Sequence, residues 1–148
     1  MLIRKVENSD LDEWLRMRTL LWPETAPDHA GEISAFFRGD SIDIHTVFVL
    51  DPELSGPLAG FIELNVRNFA EGCREPHVPY VEAWWIDATY RGQGWGRSLM
   101  ERAEAWAQST GHHYLASDTT PDNKRSIAAH GALGFKEVER VVCFLKRL

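Results

Sequence analysis

From Tyr80 to Met100 the chain passes through a short aromatic and apolar stretch, a run of alternating glycines and a helical pattern, and this order leaves the fold little freedom. Val81, Ala83, Trp84, Trp85 and Ile86 have the length and side chains of a strand, whereas Leu99, Met100, Ala103, Trp106 and Ala107 recur at helical spacing. Gly92, Gly94 and Gly96 stand between them. Glycines so spaced bring the backbone close to a ligand and leave its amide N–H groups unobstructed, and a helix start adds orphan donors and a partial positive charge. A phosphate or pyrophosphate fits such a site. Two common phosphate-binding patterns are not met. Gly96-Arg97-Ser98 lacks the lysine of a Walker loop, and a dinucleotide fingerprint needs glycine or alanine where Leu99 stands. Asp118 falls roughly where such a fingerprint places its ribose-binding acid, so a nucleotide-binding module stays open beside an ordinary strand-to-helix turn.

Elsewhere, residues 2–5 read as a first strand, and Ser9-Asp10-Leu11-Asp12 has capping-box spacing for a helix with Leu11, Trp14, Leu15 and Leu21 on one face. Pro23 ends that helix and leaves Trp22 at a rim. A second helical piece is expected over 30–37, with Ile33, Phe36 and Phe37 as its apolar side. Residues 46–50 and 58–66 form a hairpin of two central strands around a turn at 51–57, and 67–79 reads as a loop. After the glycine-led helix, Gly111 supplies a stop, 114–117 a short strand, 118–123 a loop that caps another helix, and 137–146 a final strand. The order β-α-α-β-β-β-α-β-α-β predicts one α/β domain over 1–148 with a mixed central sheet flanked by helices.

Composition narrows the function classes. No apolar run approaches a membrane span and the first residues lack a signal-peptide core, so a soluble cytoplasmic protein is expected. Cys73 and Cys143 show no metal-type clustering, which fits a reducing compartment without disulfides or a bound metal. The formal net charge of −6 disfavours nucleic acid and favours cationic partners.

Arg91-Gly-Gln-Gly-Trp-Gly96 resembles the acyl-CoA pyrophosphate loop of the GCN5-related N-acetyltransferases. Asn123, His130 and the following Gly131-Ala-Leu-Gly-Phe135 resemble the closing motif of that superfamily. Within it, the chain is most similar to the aminoglycoside 6′-N-acetyltransferases, through Leu20-Leu-Trp-Pro23, Glu71-Gly-Cys73, Val81-Glu82, Ala116-Ser-Asp-Thr119 and Glu137-Val-Glu-Arg-Val141. The resemblance implies the single-domain fold of that superfamily and acetyl-CoA as cosubstrate. It puts acetyl-CoA along Trp84, Trp85 and Ile86, its pyrophosphate on Arg91, Gly92, Gln93, Gly94, Trp95, Gly96 and Arg97, and a further contact on Asn123. It puts a cationic aminoglycoside among Trp22, Glu82, Asp118 and Glu139, with Phe69 where the subfamily has a tyrosine and Thr25 where it often has a histidine.

The chemistry implied is direct attack of a neutral amine on the thioester, with no covalent enzyme intermediate. A backbone N–H near Trp85 or Ile86 polarises the carbonyl. Glu82 is the candidate proton acceptor through a water, which requires partial burial to raise its carboxyl above the reference value of about 4.3. His130 stands where many members place a thiolate-protonating tyrosine, and is a candidate donor, a CoA contact or a packed helix histidine. Singly, each of Glu82, Asp118 and Glu139 reads as surface charge, but three carboxylates from different strand ends attract a polycation. Acetylation of another amine, such as a polyamine or a protein N-terminus, and a non-catalytic acyl-CoA or nucleotide-binding module are the alternatives. The apolar run Val141-Val-Cys-Phe-Leu145 is expected to pair two chains as a homodimer or to lie within its own sheet.

Overall fold

The computed structural model describes residues 1–54 and 56–148; Ser55, inside the expected turn at 51–57, lies outside the described residues. Its elements run β1 (Leu2–Lys5), α1 (Leu11–Leu21), α2 (Ala26–Arg38), β2 (Thr46–Asp51), β3 (Gly60–Arg67), β4 (Val78–Ile86), α3 (Trp95–Ser109), β5 (Ala116–Ser117) and α4 (Lys124–Ala132). The strands form one sheet in chain order, antiparallel from β1 to β4 and parallel between β4 and β5. β2 is buried at every residue and flanked on both sides, as its unbroken apolar run predicts.

A core lies on each face of the sheet. Leu99, Met100, Ala103, Trp106 and Ala107, the helical stripe read from the sequence, bring α3 onto Phe48, Leu50, Ile62 and Leu64. On the other face Trp14 and Met17 of α1 and Ile33 of α2 meet Val47, Val49 and Phe61, and Phe36 and Phe37 set their rings edge-on to Trp14. At the entry to α1, Asp10, inside the stretch with capping-box spacing, closes the turn before the helix by accepting from Glu7 N–H at 2.8 Å and from Arg4.

Several boundaries differ from the sequence reading: β3 runs Gly60–Arg67 and β5 only Ala116–Ser117, and three departures are larger or bear on the site. α2 begins at Ala26, four residues before the expected start, because Pro27 suits a first helical turn. β4 begins at Val78, so the strand takes in Pro79 from the expected loop. Residues 137–146 form no strand among the described residues: Val142, Phe144 and Leu145 are 78%, 92% and 101% exposed. The continuous apolar run of that segment is strand-like, but β5 is only two residues long and the segment does not pair with it. The expectation that it lies buried within its own sheet is thereby corrected.

Candidate active site

Across the β3–β4 pair, Glu63 stands opposite Ala83 and Leu64 opposite Val81, which leaves Glu82 as the extra residue of a bulge. The bulge reverses the faces of the strand. Val81 packs with Leu99 and Met100, whereas Ala83, two residues on, packs with Trp14 and Phe61. β5 pairs with β4 only at Tyr80 and Val81, so from Glu82 to Ile86 that edge of β4 has no strand partner among the described residues. The strands part there into a cleft of about 510 Å³. Trp22, Glu82, Trp84, Asp118, Asn123 and His130, all expected at the site, line it together with Ser117. Trp85 turns its ring to Phe61 on the opposite face and Ile86 is buried in the α3 core, so neither side chain enters the cleft.

The glycine loop follows β4 and meets the cleft wall at Trp84, against which Gly96 packs. Gly92 and Gly94 have φ of 72° and 88°, a left-handed backbone that a side chain strains, and Gly94 is the residue from which α3 starts. Gly96 is glycine for a different reason: a Cβ there would sit 3.2 Å from the Trp84 ring. Arg91 and Gln93 spend their side chains on the loop itself, donating to the carbonyls of Ile86 at 2.8 Å and Thr89 at 2.9 Å. Arg97 donates to the Ala132 carbonyl at 3.1 Å and ties α3 to the end of α4. No acidic residue stands in the first turn of α3, so its N–H groups and positive dipole end await an anion.

In the cleft, Glu82 is not a bare carboxylate. The Arg67 guanidinium donates to both of its oxygens, each at 2.7 Å, and Asn65 Nδ2 donates to Oε1 at 3.1 Å. Arg67 lies flat on the Tyr80 ring, 3.6 Å from its centroid, and 4.0 Å from Asp118. The Tyr80 hydroxyl donates to Asp118 at 2.7 Å, and burial first, that bond second, holds its phenol above the usual range. Glu82, Arg67, Tyr80 and Asp118 are therefore one connected group. On the neighbouring strand, burial pushes fully buried Glu63 up to about 7 against the opposing pull of Arg18 and the Trp14 indole N–H. Glu63 and Glu82 both line an adjoining cavity of about 380 Å³ that also presents Glu32, Asp40 and Asp43, with Arg18 and Trp22 on its wall.

His130 is fixed on three sides. Its Nδ1 lies 2.7 Å from the Ser126 carbonyl, which only accepts, so Nδ1 carries the proton; in the neutral ring Nε2 then accepts from the Ser117 hydroxyl at 2.7 Å. Trp84 and Phe135 meet the ring edge-on. Asn123 caps α4 by accepting from Ser126 N–H at 3.1 Å, the role its place before a helix predicts.

Several expected residues lie outside the lining of the cleft, among them Trp85, Ile86 and the loop from Arg91 to Arg97. Phe69 is 66% exposed in the loop after β3, and Glu139 is exposed in the terminal segment; neither lines the cleft of this chain. Sequence reading missed Arg67, Tyr80, Ser117 and Glu63. Ser117 had a signal, the Ser-Asp pair beside Asp118. Arg67 had none, since its partner lies 15 residues away on a neighbouring strand.

The model of the acetyltransferase (GNAT) family matches residues 11–135. The chain is 40% identical to the aminoglycoside N(6′)-acetyltransferase type 1 of Klebsiella aerogenes over 99% of its length and 97% of that protein's. It is 36% identical to that of Serratia marcescens over 96% of both. Among solved structures it superposes on AAC(6′)-Iy in complex with the bisubstrate analogue CoA-S-monomethyl-acetylneamine, with a TM-score of 0.87, 28% identity and coverage of 99% of this chain and 98% of that one.

Proposed function

The chain belongs to the GNAT acetyltransferase family, and from that premise we infer that it transfers the acetyl group of acetyl-CoA to the 6′-amino group of aminoglycosides. The observation that carries this reading is similarity over essentially the whole chain to enzymes named for that reaction. The site supports it independently. An open strand edge ends at a glycine loop and a helix start suited to a pyrophosphate, and two acidic cavities meeting at Glu82 suit a cation with several ammonium groups.

Acetyl-CoA lies along Trp84 to Ile86, its pantetheine amides pairing with the free strand edge as another strand would. Its pyrophosphate takes the N–H groups from Gly92 to Arg97, on a loop braced by Arg91 and Gln93. Asn123 holds the start of α4 against the cleft. The amine approaches with Trp22 on one side and Glu82 and Asp118 on the other, and these groups align one nitrogen with the thioester. Because the Glu82 oxygens are engaged by Arg67 and Asn65, Glu82 orients the ammonium and its proton leaves through water in the open cleft. The neutral amine adds to the carbonyl, the C–S bond breaks, the proton lost by the adduct nitrogen passes through water to His130 Nε2, and it moves on by way of Ser117 Oγ to the departing thiolate.

Such a cosubstrate belongs to the cytoplasm, and the negative net charge argues against a nucleic-acid partner. No helix among the described residues is long and apolar enough to cross a membrane. The exposed run at 137–146 supports a homodimer in which the segment pairs with a second copy.

The test is release of free thiol from acetyl-CoA by purified protein with kanamycin, tobramycin or amikacin, beside spermidine and an unblocked peptide. Turnover with the aminoglycosides at a kcat/KM at least a hundredfold above the other amines is expected. Preference for spermidine or the peptide would move the reading to another amine, and no thiol release with any amine would leave a binding module.

A further inference from the structure

We propose that Arg67 is a resident counter-cation that sets how many substrate ammonium groups the Glu82–Asp118 pair accepts, and so selects among acceptor amines. The proposal rests on the aminoglycoside reading above.

Arg67 is no ordinary surface arginine. A mobile guanidinium at a sheet end would make one water-exposed contact, whereas this one is fixed in three directions. It binds both oxygens of Glu82 in a fork, lies flat on Tyr80, and points Nη2 towards Asp118. Tyr80, itself 2% exposed, anchors both sides by stacking on Arg67 and donating to Asp118. Its place follows from the fold. Arg67 ends β3 opposite Val78, and the bulge at Glu82 turns that carboxylate towards it.

The consequence is a matter of charge. Two carboxylates alone invite two ammonium groups, but with Arg67 between them the group carries a formal charge of −1. One substrate ammonium neutralises it. A second ammonium on the same sugar ring meets the guanidinium as a like charge, and the adjoining cavity, where Glu32 is paired with Arg18 and Asp40 with Arg38 but Asp43 has no ion pair among the described residues, is where a further ammonium group of a larger substrate finds a partner. Arg67 thus favours acceptor rings bearing a single amino group over diamino rings.

Kanamycin A and kanamycin B test this, because the ring acetylated at 6′ carries one amino group in the first and a second, at 2′, in the other. The readout is the ratio of kcat/KM for kanamycin A to that for kanamycin B, compared among wild type, Arg67→Met and Arg67→Lys. Arg67→Met should shift the ratio about tenfold towards kanamycin B, mainly through a lower KM for it, since one charge-assisted contact is at stake. Arg67→Lys, which keeps the charge and loses the fork, should stay within about twofold of wild type. Acetyl-CoA affinity by calorimetry, unchanged in both variants, shows that they are folded. A ratio unmoved in Arg67→Met, or moved equally in both variants, overturns the role of charge while leaving the acetyltransferase reading intact. Wild-type protein that acetylates neither kanamycin fails the underlying reading instead.

Discussion

Glu63 is a residue whose chemistry departs far from its type. A carboxyl held at about 7 by burial keeps in the folded state a proton that the unfolded chain releases near 4.5. Its contribution is therefore harmless below about pH 4.5, becomes a growing penalty as pH rises from there to about 7, and levels off above that at roughly 3 kcal/mol at most. Glu63→Gln, which resembles the protonated acid, should match wild type in melting temperature at about pH 4, exceed it increasingly up to about pH 7, and hold that lead at about pH 8. A difference independent of pH would mean that Glu63 is ionised throughout beside Arg18. At the Ser117–His130 pair, Ser117→Ala should lower kcat at least tenfold with little change in the KM for acetyl-CoA, because the hydroxyl acts on the departing sulfur. Equal loss in both parameters would make Ser117 a cosubstrate contact.

At the scale of elements, the glycine loop and α3 divide their work. Gly94 is left-handed with open space around its missing side chain, and Gly96 is crowded by Trp84. A left-handed alanine costs about 1–2 kcal/mol, so Gly94→Ala should weaken CoA binding about tenfold by calorimetry while the protein stays folded. Unchanged affinity would remove the loop from the CoA site. This loop was legible in the sequence because its glycines, the helical stripe after it and the cap at Asn123 are local signals. The bulge was not. Val81-Glu82-Ala83 alternates like any half-buried strand, and only the register against Glu63 and Leu64 reveals the extra residue that aims Glu82 and opens the cleft. Arg67 escaped for the same reason, since pairing between strands is set by register and not by spacing along the chain. The segment 137–146 was legible as strand-like and misleading as to partner, because an apolar run does not say which edge it pairs with.

For the molecule as a whole, the unpaired terminal run is the feature that a lone chain explains least. Phe144 and Leu145 are almost fully exposed, so burial against a second copy gains their full apolar area. Light scattering at micromolar concentration should report a dimer, and Phe144→Glu should give a monomer. A wild-type monomer would refute the pairing. The central claim, however, is regiospecific chemistry: two acidic cavities meeting at Glu82 hold a polycation so that one amine alone faces the open edge of β4. The most direct measurement is NMR assignment of the product formed from kanamycin A and acetyl-CoA. A single N-acetyl group on the 6′ nitrogen is the result predicted; acetylation at another amine, or a mixture of positions, would contradict it.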